Sequence, residues 1–134
     1  IRYLEARILH VRPGHGKEFE ELVKLWMALA DKAGTSDHWG AYRMEYGDQL
    51  GSYIFLTGDS SMADIDQSYA EDPKFMAAMT DDDKAKMRDL RAAAIDADRF
   101  ELYSVNPAQS YPSEEFIKAD PKFWKPKPTP AAKP

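Results

Sequence analysis

His38, Trp39, Tyr42 and Arg43 place four chemistry-capable side chains within six positions. A neutral imidazole beside a guanidinium and aromatic rings can orient an aromatic or acidic ligand. His38, Tyr42 and Arg43 are therefore the candidate catalytic residues. Trp39, Tyr46, Tyr53 and Phe55 are the candidate ligand-binding aromatics, with core and dimer interface as the competing use of the same rings. The other histidines, His10 and His15, stand in a strand end and a turn, and no two histidines have the i, i+4 spacing of a helical zinc site. No metal is expected.

Other motifs resolve into structure. Gly14-His15-Gly16 before a helix has the look of a phosphate loop, but the Lys-Ser/Thr pair and third glycine are missing, so it reads as a strand-to-helix turn. Asp81, Asp82 and Asp83 fall in the first turn of a helix, where negative charge opposes the positive end of the dipole. Hydrolase, glycosidase and kinase signatures are absent.

Positioning these residues requires a sheet and helices. Tyr3 to Val11 alternates with period two, Leu4, Ala6, Ile8 and His10 opposing Tyr3, Glu5, Arg7, Leu9 and Val11. Arg12 to Gly16 breaks the strand. Phe19, Leu22, Val23, Trp26, Leu29, Ala30 and Ala33 then mark one face of a helix from about Lys17 to Ala33, stopped by Gly34. Trp39–Tyr46 and Ser52–Thr57 flank the glycine-bearing turn 47–51 and predict a hairpin. Ser61 with Asp64, and Thr80 with Asp83, are N-terminal caps for two further helical stretches, the first interrupted at Asp72-Pro73. Arg99 to Val105 is the last strand.

The order is β-α-β-β-α-β: an α+β, ferredoxin-like domain over 1–106 with a four-stranded antiparallel sheet and helices on one face. The other face, expected to carry aromatics from both hairpin strands, needs a cover. Two such sheets closing face to face make a barrel in a homodimer. Residues 107–134 form a Pro/Lys-rich extension. There Lys125-Pro126-Lys127-Pro128 reads as a polyproline II spacer, and Phe116, Ile117, Phe123 and Trp124 form an apolar cluster that should pack on its own domain or on a neighbouring subunit.

The 134 residues suit one such domain plus a tail. The formal charge of -5 is concentrated in residues 1–110, with 20 acidic against 13 basic side chains. Nucleic acid is thus an unexpected partner. Without cysteine there is no thiolate chemistry or disulfide framework. No run is long and apolar enough for a membrane span, so a soluble chain is expected, either cytoplasmic or exported after removal of a leader.

The element order, the junction Val11-Arg12-Pro13-Gly14-His15-Gly16-Lys17-Glu18-Phe19, and the Tyr69–Phe75 segment resemble the dimeric α/β-barrel superfamily. Its members include antibiotic-biosynthesis-type monooxygenases, haem-degrading enzymes, and NIPSNAP-like and EthD-like proteins. The resemblance covers about residues 3–106. It implies a homodimer and a cofactor-independent, monooxygenase-like enzyme acting on a small aromatic or quinone-like substrate. The alternative is a non-catalytic small-ligand-binding or dimeric assembly protein. The chain departs from the haem-degrading members, which use an Asn, Trp and His set. Its one asparagine, Asn106, lies outside strand one, so no haem or other cofactor is expected.

Overall fold

The computed structural model describes residues 1–47 and 49–125. Asp48, within the expected hairpin turn, and the Lys-Pro spacer from Pro126 onward lie outside them. Two compact units are present, Ile1–Tyr103 and the residues from Ser104 on.

In the first unit the strands are β1 (Tyr3–Val11), β2 (Gly40–Arg43), β3 (Ser52–Asp59) and β4 (Ile95–Ser104), and the helices are α1 (Gly16–Ala33), α2 (Met62–Ala78) and α3 (Asp81–Ala94). Among the described residues they build one antiparallel sheet in the order β2-β3-β1-β4, the ferredoxin-like arrangement. The ends of the helices follow local chemistry. α1 stops where Gly34 takes φ 64°, a conformation that costs glycine nothing. Reciprocal capping boxes open α2, through Ser61 and Asp64, and α3, through Thr80 and Asp83.

The core lies between sheet and helices. Leu9, Val11, Phe19, Phe55 and Ala94 are buried together, with Val23, Trp26, Trp39, Tyr53 and Ile95 packed around them. Phe19 meets Tyr53 at 4.6 Å between ring centroids, and Trp26 meets Phe55 edge-on at 6.0 Å. α1 contacts both α2 and α3. Lys32, in its last turn, donates to the Ala78 carbonyl at the C-terminus of α2, 2.7 Å away.

Three expectations need correction. Asp72-Pro73 does not interrupt α2, which runs through it to Ala78. Pro73 has no N–H to give the carbonyl one turn earlier, but the flanking turns hold the helix together. β4 begins at Ile95, directly after α3, rather than at Arg99. The expected aromatic face is divided by register: Tyr42 pairs with Ile54 and Arg43 with Tyr53, so Tyr42 lies opposite Tyr53 and Phe55 across the sheet. The face away from α1 carries half-buried Leu4, Ile8, Ile54 and Leu56, with Tyr42 57% exposed.

In the second unit Asn106 caps a 3-10 turn, Pro107–Gln109, and α4 (Glu114–Ala119) and α5 (Pro121–Trp124) follow. The apolar cluster packs on itself, Trp124 lying 6.2 Å from Phe116 and 5.0 Å from Phe123 between centroids. Among the described residues no helix is long and apolar enough to cross a membrane.

Candidate functional site

A cavity of about 420 Å³ lies on the helix-covered side of the sheet in the first unit. The pleat of β1 turns Glu5 and Arg7 into it while Leu9 and Val11, further along the same face, go to the core. β3 contributes Thr57 opposite Glu5 and Phe55 opposite Arg7. Trp26 and Ala30 come from one face of α1, Tyr69 and Asp72 from α2, and Met87 and Arg91 from α3.

The wall formed by the loop after α1 is stitched to α2. Ser36 donates its backbone N–H and its hydroxyl to Glu71 at 2.8 and 2.9 Å, and the Ser68 hydroxyl donates to Asp37 at 3.0 Å. This places Asp37 and Trp39 on the cavity.

The cavity is electrically divided. On one side, Arg7 grips Asp98 with two hydrogen bonds, 3.1 and 2.7 Å, and Arg91 donates to the same carboxylate at 2.9 Å. The Arg7 guanidinium also lies 5.0 Å from the Trp26 ring centroid and 4.9 Å from that of Phe100. Burial alone would raise the Asp98 carboxyl, but the two guanidinium groups outweigh it and hold it below its usual range.

On the other side stand Glu5, Asp37, Glu71 and Asp72. Desolvation, then the charges of Asp59 and Asp37, raise the Glu5 carboxyl above its ordinary value, and hydrogen bonding from Tyr69 offsets part of the rise. The Tyr69 phenol is itself pushed up by the Glu5 charge, by burial and by Asp72. Glu5 is thus a carboxyl of increased basicity, coupled to a phenol, in an aromatic-walled cavity: a group suited to accepting and returning a proton. Among the described residues no three His, Asp or Glu side chains are arranged to hold a metal ion.

Of the residues singled out from sequence, Trp39 and Phe55 line this cavity. Tyr53 packs in the core against Phe19. His38 is exposed between the lining residues Asp37 and Trp39 without lining the cavity itself. Arg43 is exposed and bound to Glu45 at 3.0 and 2.8 Å, Tyr42 lies on the opposite sheet face, and Tyr46 is 90% exposed. His38, Tyr42 and Arg43 therefore do not converge on the cavity. Glu5, Arg7 and Tyr69 do, and β1 carried a signal for the first two: charged residues sharing a strand face with Leu9 and Val11.

No protein-family model matches the sequence, and no curated protein matches it significantly. Solved structures do match. An uncharacterised NIPSNAP-like domain protein from Burkholderia xenovorans superposes with a TM-score of 0.56 at 17% identity, covering 82% of this chain and 89% of that one. A NIPSNAP family protein from Agrobacterium tumefaciens gives a TM-score of 0.56 at 21% identity, covering 79% and 94%. The chain shares its fold with NIPSNAP-like proteins. A dimeric protein of unknown function and ferredoxin-like fold from Bacteroides fragilis is a more distant match, with a TM-score of 0.48, 11% identity, and 77% and 96% coverage. At these identities the likeness is one of fold alone, and chemistry has to be argued from the cavity.

Proposed function

We propose that the chain is a homodimeric, monooxygenase-like α/β-barrel enzyme that acts on a small aromatic or quinone-like substrate in this cavity, with Glu5 as proton acceptor. The observation that carries the reading is a carboxyl of raised proton affinity facing a space of about 420 Å³ walled by Trp26, Trp39 and Phe55. Such a volume admits one small ring system, and the flat walls favour one. Removing a hydroxyl proton from a phenol or quinol leaves an electron-rich anion able to pass electrons to dioxygen; one oxygen atom bonds to a ring carbon, and the other leaves as water with two hydrogens from the substrate, which is itself the reductant and ends as a quinone. Arg7, two residues from Glu5 on the same strand face, supplies positive charge where that anion develops.

The homodimer rests on the other side of the sheet. Leu4, Ile8, Ile54 and Leu56 are only half buried there, and Tyr42 stands more than half exposed among them. A second sheet laid on this face would bury all five. Tyr42 then serves the interface rather than the chemistry.

The test is oxygen uptake and product analysis on the full chain with a panel of phenols and hydroquinones, for the wild type and Glu5→Gln. General-base catalysis contributes about 10²- to 10⁴-fold, so Glu5→Gln should lose turnover on that scale while staying folded. Equal turnover in the two proteins would overturn the role of Glu5. Binding without turnover in the wild type would move the chain to the non-catalytic ligand-binding class.

A further inference from the structure

We propose that the substrate is an aromatic acid whose carboxylate is bound by Arg91, at the end of the cavity away from the hydroxyl that Glu5 deprotonates. This rests on the reading of the cavity as an aromatic site and adds the charge of the ligand and its direction.

Two guanidinium groups meet one carboxylate at the α3 side. Arg7 and Arg91 both line the cavity, whereas Asp98, which pairs with them, does not. Asp98 therefore neutralises one of the two charges from outside the lining and leaves one positive charge facing the space. The two arginines are not equally spent. Arg7 gives Nε and Nη2 to the two Asp98 oxygens, at 3.1 and 2.7 Å, and its guanidinium lies over the rings of Trp26 and Phe100. Arg91 gives Asp98 a single hydrogen bond, 2.9 Å from Nη2, and its side chain is 37% exposed. A guanidinium presents its N–H donors as a planar fork, so among the described residues most of the Arg91 fork meets no acceptor. A planar carboxylate matches that fork, and its single charge matches the one left over, which a doubly charged phosphate would exceed. Met87, one turn before Arg91 on α3, also lines the cavity and adds an apolar neighbour that strengthens such a pair by keeping water away.

The acidic side of the cavity fixes the orientation. Glu71 and Asp72 lie on α2, which packs toward β3, while Arg91 on α3 is tied to Asp98 of β4, and β1 runs between β3 and β4. Ionised carboxylates only accept hydrogen bonds, so that side receives hydroxyl groups and repels an anion. Two of its members already hold hydroxyls in this way, Glu71 that of Ser36 and Asp37 that of Ser68. A hydroxylated ring bearing a carboxylate thus enters one way round. Its hydroxyl turns toward Glu5, its acid toward Arg91, and its flat body lies against Trp26, Trp39 and Phe55.

Three phenols with the same ring and similar reach separate the possibilities: para-hydroxyphenylacetate, para-ethylphenol and tyramine, titrated calorimetrically into the full chain at neutral pH. Charge-assisted hydrogen bonds to Arg91 should make the acetate bind about tenfold more tightly than para-ethylphenol, with tyramine weakest. Arg91→Gln should bring the acetate to the level of para-ethylphenol and leave para-ethylphenol itself unchanged, a selective loss that a merely structural role for Arg91 would not produce. Arg91→Lys, which keeps the charge but not the fork, should retain part of the preference. A thermal melt verifies that each variant is folded, and the ranking of the three probes on the wild type decides the matter even where a variant is not. Equal affinity for the acetate and para-ethylphenol, tightest binding of tyramine, or an undiminished acetate preference in Arg91→Gln would each overturn the acid assignment while leaving the aromatic cavity intact. Binding of none of the three would overturn the aromatic reading itself, and the acid with it.

Discussion

His10 Nδ1 lies 2.5 Å from a carboxylate oxygen of Asp96, and its Nε2 lies 3.0 Å from the Leu50 carbonyl oxygen. Both neighbours are acceptors, so the ring satisfies them together only as imidazolium, with a proton on each nitrogen. The contact joins three pieces of chain, because His10 is in β1, Asp96 in β4 and Leu50 in the turn that leads into β3.

The first prediction is a pH dependence. The Asp96 hydrogen bond, working against burial and helped by the Leu50 carbonyl, raises the His10 pKa above the ordinary 6.5. A raised folded pKa means that the native state holds this proton more tightly than the unfolded chain. The stabilisation is therefore fully present below about 6.5 and disappears as pH rises through the higher folded value. Melting temperature should fall across that window, and Asp96→Asn should flatten the fall. NMR titration of the His10 ring measures it directly, and a midpoint at or below the ordinary value would contradict the arrangement.

A second prediction concerns Asp98, which has the opposite sign. Its folded pKa is depressed by Arg7 and Arg91, so its contribution is present above the usual aspartate range and is lost as pH falls through the lower folded value. Asp98→Asn leaves two part-buried guanidinium groups without their shared carboxylate. Hydrogen bonds to charged groups contribute about 1.5–3 kcal/mol, and exposure of roughly a quarter of these side chains reduces that to about 1–2 kcal/mol. Denaturant melts should show this loss at neutral pH and almost none in strong acid.

Much of the architecture was legible because local chemistry and periodicity agreed. Ser61 with Asp64 and Thr80 with Asp83 announce helix starts, Gly34 announces a stop, and both features form as the sequence implies. Pro73 was misleading, since a single residue's propensity cannot show whether neighbouring turns will carry a helix through it. The site was less legible for a reason specific to sheets. Period two says which residues of β3 share a face, but only the register with β2 says that Tyr42 joins Ile54 and not Phe55. The aromatics drew attention to the hairpin, whereas the cavity is built from charged residues of β1 and a tyrosine of α2 whose meeting depends on how α2 lies across the sheet.

Asp59 supplies a third prediction. Burial, followed by the charges of Asp37 and Asp64, raises its carboxyl above the ordinary value, and one oxygen lacks a partner among the described residues. By the same linkage that governs His10, the native state is relatively favoured while Asp59 is protonated, and this advantage is lost as pH rises through its folded pKa. Removing the charge should therefore stabilise the protein at neutral pH. Asp59→Asn is expected to gain on the order of 1 kcal/mol there, the low end of the cost of an unsatisfied buried polar group. In acid, where both side chains are neutral, the gain should vanish. A loss of stability at neutral pH would show that the Asp59 charge is compensated in the folded protein.

The fourth prediction tests the proposed homodimer where it depends on the sheet alone. Ile54 sits in the middle of the face away from α1, opposite Ile8 on one side and Tyr42 on the other. In a lone protomer an aspartate at this half-exposed position can reach water, so Ile54→Asp should cost little stability. In a face-to-face dimer the same carboxylate would be buried against its symmetry mate, two like charges meeting in an apolar layer. Ile54→Asp should therefore convert a dimer at micromolar concentration into a monomer, read by light scattering after size exclusion, while the circular dichroism spectrum is unchanged. A wild-type protein that is already monomeric at that concentration removes the barrel from the proposal. It leaves the cavity standing, since Glu5, Tyr69 and Arg7 are all supplied by one chain.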